Sequence, residues 1–106
     1  MTTKSKAKKF LENLTDGPLT IGGLLWAIRE GEELSMAAFA EQLGISRSHL
    51  NDIEKGRKPV SPQKAAEYAL TLGYSDQQFI RLALQDLLNR NDLDEYEVDL
   101  IKRKGA

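Results

Sequence analysis

Residues 35–56, SMAAFAEQLGISRSHLNDIEKG, hold two short amphipathic stretches joined only by Leu43-Gly44-Ile45. In the first, Ser35 to Leu43, helical spacing puts Phe39, Ala40 and Leu43 on one face. In the second, Ser46 stands as N-cap, and Leu50 and Ile53 lie three residues apart on one side. Gly44 occupies the place where a helix ends in a left-handed residue. A link this short forces the two helices to meet at a steep angle, the arrangement of a helix-turn-helix.

The wider pattern carries a resemblance. Leu34-Ser35, Phe39-Ala40, Leu43-Gly44-Ile45-Ser46, Leu50 and Ile53-Glu54-Lys55-Gly56-Arg57, with Pro59 following, stand in one register. In these residues, and in 19–34 and 61–84 around them, the sequence resembles the XRE, or Cro/C1-type, helix-turn-helix family of bacterial and phage repressors. It departs at Met36, where that family often has glutamine. The resemblance implies an all-α, lambda-repressor-like bundle of about five core helices. Short helical extensions are expected at both ends, with boundaries at 1–18, 19–90 and 91–106.

Composition narrows the remaining choices. A chain of 106 residues, 41% hydrophobic and 29% charged, suits one soluble domain. Neither a membrane-spanning run nor a signal-peptide core is visible, so a cytoplasmic protein without a membrane partner is expected. The absence of cysteine removes disulfides and thiolate metal sites, and one histidine argues against a histidine-rich one. No cofactor is expected. The net charge of −1 conceals a segregation. Lys4, Lys6, Lys8 and Lys9 face no acid within residues 1–9. Residues 46–64 hold five cations against two acids, and residues 85–99 hold six acids against one arginine. One face of a near-neutral molecule can therefore be basic.

Taken in order, residues 4–14 form a short helix with Phe10, Leu11 and Leu14 as its stripe, or else a solvated terminus. Thr15-Asp16-Gly17-Pro18 breaks it. Thr20 caps a helix reaching about Gly31, with Ile21, Leu24, Leu25 and Ile28 buried. Trp26 falls off that face and covers either the N-terminal helix or a dimer contact. Gly22 and Gly23 cost roughly 1 kcal/mol each relative to alanine, which suggests close approach of another backbone. Ser61-Pro62 opens a further helix, with Ala65, Ala66, Ala69 and Leu72 on a narrow face and Gly73 closing it. Ser75-Asp76-Gln77-Gln78 reads as a capping box. The helix behind it carries apolar residues around more than half its circumference: Phe79, Ile80, Leu82, Ala83, Leu84, Leu87 and Leu88. The surplus is assigned to a second subunit, with a terminal extension as the alternative cover. Leu93, Tyr96 and Leu100 mark a last helix, acidic at its start and basic at its end.

With Ile45, Leu50 and Ile53 turned inward, Arg47, Ser48, Asn51, Asp52 and Lys55 face outward. Major-groove recognition requires donors and acceptors on such a face. The resemblance places base reading at Arg47, Ser48 and Asp52, and Asn51 is the further candidate. Arg47 suits guanine O6 and N7, a contact worth roughly 1–3 kcal/mol of discrimination. Asp52 suits a cytosine amino group, or instead restrains Arg47 or Lys55. Phosphate contacts are expected from Ser35 and the amides beside it, and from Lys55, Arg57 and Lys58, with Lys64 and the N-terminal lysines secondary. The resemblance also implies a structural pair between Arg29 and Glu54. His49 reads as a solvated histidine, not a metal ligand.

These residues imply a sequence-specific regulator, a repressor, binding a double-stranded DNA operator as a homodimer. The alternatives are an antitoxin that binds a toxin partner and represses its own promoter, or a protein-interaction module that has lost DNA binding. An enzyme is not expected, because no nucleophile–histidine–acid pattern, phosphate loop or metal spacing occurs.

Overall fold

The computed structural model describes residues 19–105, so the expected helix over 4–14, the break after it and any contact of Trp26 with Phe10 or Leu14 lie outside the described residues. Among the described residues there are five helices and no strands: α1 (Ile21–Gly31), α2 (Met36–Leu43), α3 (Arg47–Glu54), α4 (Pro62–Leu72) and α5 (Asp76–Arg90). The expected all-α class, with about five core helices, is therefore present.

Local chemistry sets both ends of each helix. Thr20, Ser35, Ser46, Ser61 and Ser75 are the N-caps, and each hydroxyl accepts from the amide three residues on, at 2.9 to 3.3 Å. A cap of this kind contributes about 1 kcal/mol relative to alanine. At the C-terminal ends the chain turns through a left-handed residue in every case: Glu33, Gly44, Gly56, Gly73 and Asp92. The next amide then reaches back five residues, as in Ile45 N–H to the Ala40 carbonyl at 3.0 Å and Arg57 N–H to the Asp52 carbonyl at 2.8 Å.

The chain divides between Pro59 and Val60 into two units. In the first, α3 packs against both α1 and α2. Ile21, Leu24, Leu25, Ala27 and Ile28 of α1 are buried, as are Phe39, Ala40 and Leu43 of α2 and Leu50 and Ile53 of α3. Each large aliphatic side chain so buried contributes roughly 1.5–3 kcal/mol. Gly22 is where α1 meets α3. A Cβ there would collide with the Ile53 carbonyl oxygen and lie 3.1 Å from its carbon and 3.4 Å from Glu54 Cα. Any larger residue would push the end of α3 away.

In the second unit α4 and α5 pack along each other. Ala65, Tyr68 and Ala69 are buried on α4, and Phe79, Leu82 and Ala83 on α5. Tyr74, after α4, lies against Phe79 with ring centroids 5.9 Å apart. The expected helix over Leu93, Tyr96 and Leu100 is corrected by the structure, which has no helix after Arg90 among the described residues. Instead the chain turns at Asn91–Asp92 and runs back toward the start of α5. Gln85 Nε2 donates to the Tyr96 carbonyl and Gln85 Oε1 accepts from Val98 N–H, both at 2.8 Å; Gln77 Nε2 donates to the Leu100 carbonyl at 2.7 Å. Eight residues of α5 span about 12 Å. The four residues from Tyr96 to Leu100 match that length only when extended, at about 3.3 Å each. The acids at 92, 94, 95, 97 and 99 also fall at repulsive helical spacings, as in 92 with 95 and 95 with 99. Thus this extension runs beside α5, where it leaves Val98 and Leu100 half-buried. Leu87 remains 51% exposed.

Candidate nucleic-acid interface

The link between α2 and α3 is Gly44-Ile45-Ser46. Gly44 takes φ 74°, a value that an L side chain resists, and Ser46 caps α3 through His49 N–H at 3.0 Å. α3 is pinned from below by Leu50 and Ile53, which are 0% and 2% exposed. Its other side carries Arg47 and Ser48, exposed, and Asn51 and Asp52, half-buried. Lys55, Arg57 and Lys58 follow as an exposed basic loop. A rigid eight-residue rod thus presents one polar edge with cations at its end.

Arg29 and Glu54 meet in a two-pronged ion pair, Nε to Oε2 at 2.9 Å and Nη2 to Oε1 at 3.0 Å. The remaining Arg29 prong donates to the Leu34 carbonyl at 3.3 Å. The side chains are only 13% and 4% exposed. The hydrogen bond to Glu54 raises the Arg29 pKa above its ordinary value, against the opposing effect of burial. This clamp joins α1, the approach to α2 and the last residue of α3.

Asp52 is arranged differently. Its Oδ1 accepts from Arg57 Nε at 2.8 Å and its Oδ2 lies 3.5 Å from Lys58 Nζ. Its backbone carbonyl also accepts from the amides of Arg57 and Lys58, at 2.8 and 3.2 Å. The bond from Arg57, then the charges of Arg57 and Lys58, hold its carboxyl below the ordinary aspartate range despite some desolvation. Arg57 and Lys58, two of the expected phosphate ligands, are therefore gathered around a residue expected to face a base. The partners are these loop cations, whereas the sequence suggests Arg47 or Lys55 for such a restraint.

Ser35, another expected phosphate ligand, is exposed while its hydroxyl caps α2 by accepting from Ala38 N–H at 3.1 Å. Lys64 sits 3.1 Å from Glu67 on its own helix. Asn51 and Lys55 border a groove of about 250 Å3 whose other walls are Trp26, Arg29, Met36 and Glu54. The sequence signals Trp26 only as a residue off the buried stripe and Met36 only as a departure from a pattern. That both line one hollow beside α3 is visible only in the folded chain.

Two short helices packed together across a three-residue link, the second with an outward polar edge, define a helix-turn-helix protein. A helix-turn-helix family model matches residues 27–79, half of the chain, and the protein belongs to that Cro/C1-type, or XRE, family. Its domain is that of a DNA-binding regulator, in a family typically without enzymatic activity. Comparison with curated proteins and with solved structures finds no match. None of the described helices is long and apolar enough to cross a membrane.

Proposed function

We propose that this protein is a sequence-specific, double-stranded DNA-binding transcriptional repressor that acts in the cytoplasm as a homodimer. The supporting observation is the division of α3. Leu50 and Ile53 fix it from beneath, and Arg47 and Ser48 stand exposed on its outer edge. Arg47 grips guanine through O6 and N7, and Ser48 and Asn51 meet neighbouring base edges. Lys55, Arg57 and Lys58, with Ser35 and the amides at the start of α2, hold phosphates and set the register. Arg29 and Glu54 keep the end of α3 in place. In the dimer, two copies of α3 enter half-sites roughly 34 Å apart. The exposed Leu70 and Leu87 are apolar surface of the kind a subunit contact covers. Repression follows from occupying a promoter.

Selection of bound duplexes from a random pool tests this reading. A two-fold symmetric site should emerge. Arg47→Ala should relax preference at one base pair per half-site, whereas Arg57→Ala should weaken binding without changing which base pairs are preferred. An unenriched pool, or a protein that sediments as a monomer on the enriched duplex, would refute it.

A further inference from the structure

The two carboxylates of α3 do unlike things, and the second has no structural task of the first kind. Glu54 is shielded and locks helices together. Asp52 is half-buried, with its carboxylate turned onto the exposed side chains of the basic loop. We infer that Asp52 is a positioning residue for phosphate contact: it partly cancels and aims the charge of Arg57 and Lys58, so that random DNA is held weakly and a correctly docked site is favoured. This rests on the DNA-binding reading above.

The geometry supports the inference in three ways. First, Asp52 engages Arg57 through Nε, which leaves the terminal guanidinium nitrogens at the end of a side chain 55% exposed. A planar guanidinium held by one edge has a defined direction for its other edge, suited to a phosphate. Second, Lys58 Nζ approaches the other carboxylate oxygen at 3.5 Å, so one anion draws on two cations. Third, the loop backbone is anchored independently, because the Asp52 carbonyl accepts from the amides of Arg57 and Lys58. Replacing the carboxylate with an amide therefore releases side-chain charge without releasing the loop.

The consequence for binding is electrostatic. Affinity for arbitrary duplex comes from phosphate neutralisation and falls with salt in proportion to the number of phosphates neutralised. A carboxylate beside two of the responsible cations lowers that number for any loosely docked complex. In a docked complex the same carboxylate keeps Arg57 in the direction the phosphate requires. Discrimination rises because the sequence-independent part is reduced.

The test compares Asp52→Asn with wild type on a random-sequence duplex, on the selected site and on heparin, each over a fourfold range of salt. The variant should bind random duplex more tightly at low salt, with a slope steeper by about one, which is about 3.5-fold more affinity lost over that range. The ratio of selected to random affinity should fall, with little change in melting temperature. In an Arg57→Gln background most of the added effect should disappear, since the main restrained cation is gone. If Asp52→Asn instead alters preference at one base pair and leaves the random-duplex slope alone, Asp52 reads a base and the inference fails. An unchanged slope on heparin also overturns it, whatever happens with DNA. A steeper heparin slope with no duplex binding by wild type would uphold the restraint of the loop and dismiss the DNA-binding reading instead.

Discussion

Two ion pairs leave α3 from positions two residues apart, and solvent separates their roles. Glu54 points toward α1 and meets Arg29 where both side chains are almost wholly shielded. Asp52 points toward the loop and meets Arg57 where the side chains are 26% and 55% exposed. In the shielded pair each charge has given up most of its water, so either one left alone is costly. In the exposed pair water and salt stand ready to replace the partner, and little stability is at stake. A carboxylate on one side of the helix holds the fold, and on the other it is available to govern how cations meet an outside anion.

The largest expected effect comes from breaking the shielded pair. Glu54→Ala leaves the shielded Arg29 guanidinium without its two-pronged partner, and destabilisation of about 3–5 kcal/mol is expected. For a domain near this size each kcal/mol lowers the melting temperature by roughly 4–8 °C, so calorimetry should register a fall of more than about 12 °C. A drop of only a degree or two would erase the contrast between the two pairs. Arg29 remains charged throughout the neutral range because its raised pKa carries loss of the interaction to still higher pH. Neutral pH should therefore not modulate this pair.

Gly22→Ala attacks the same junction through the backbone. The added methyl meets the Ile53 carbonyl, so α1 and α3 must separate. A cost of about 1–3 kcal/mol is expected, measured as a lower urea midpoint. Its partner test is Gly23→Ala, at the neighbouring helical position. There helix propensity should dominate, giving a gain of up to roughly 1 kcal/mol. Equal effects at the two glycines would show that the close approach does not decide the matter.

The same two glycines mark the boundary between what neighbouring residues dictate and what only the folded chain dictates. Both are visible as weak helix formers, and their placement suggests a close backbone without saying whose. Caps, left-handed glycines and the i, i+3 and i+4 stripes are local, so Thr20, Ser46, Gly44 and the core of α1 follow from the residues alone. The direction of the Asp52 side chain is not local in that sense. It depends on a loop that turns back at Gly56 and brings residues 57 and 58 beside 52. The C-terminal segment misleads for a similar reason: its apolar spacing at 93, 96 and 100 fits a helix. Two glutamines on α5, however, offer its backbone better bonding when it is extended.

A smaller effect is expected at the helix ends that lack glycine. Glu33 holds φ 56° after α1, a conformation costing an L-residue about 1–2 kcal/mol. Glu33→Gly removes that strain, but the unfolded chain gains freedom worth about 0.4–1 kcal/mol. A net stabilisation near 0.5–1 kcal/mol should appear as a higher urea midpoint. At Asp92, φ 59°, aspartate tolerates the left-handed region better, and the gain from glycine should be smaller. Destabilisation at Glu33 would mean that its side chain contributes something beyond occupying the turn.

The least change in stability, and the sharpest test of the exposed pair, comes from acid. A carboxyl with a depressed pKa contributes stability above its unfolded value and loses it as pH falls through the folded one. Asp52 is such a group, held low chiefly by the bond from Arg57. Followed by NMR, the Arg57 Nε–H signal should stay constant across neutral and mildly acidic pH. It should shift only below the ordinary aspartate range, and it should not titrate there in Asp52→Asn. Raised salt should move the midpoint upward toward the ordinary value, because exposed charges are screened within about 10 Å at 0.1 M. The Arg29 Nε–H signal, shielded against Glu54, should respond far less to the same salt. If the two arginine signals respond to salt alike, solvent is not what separates the two sides of α3, and the assignment of one to the fold and the other to phosphate fails with it.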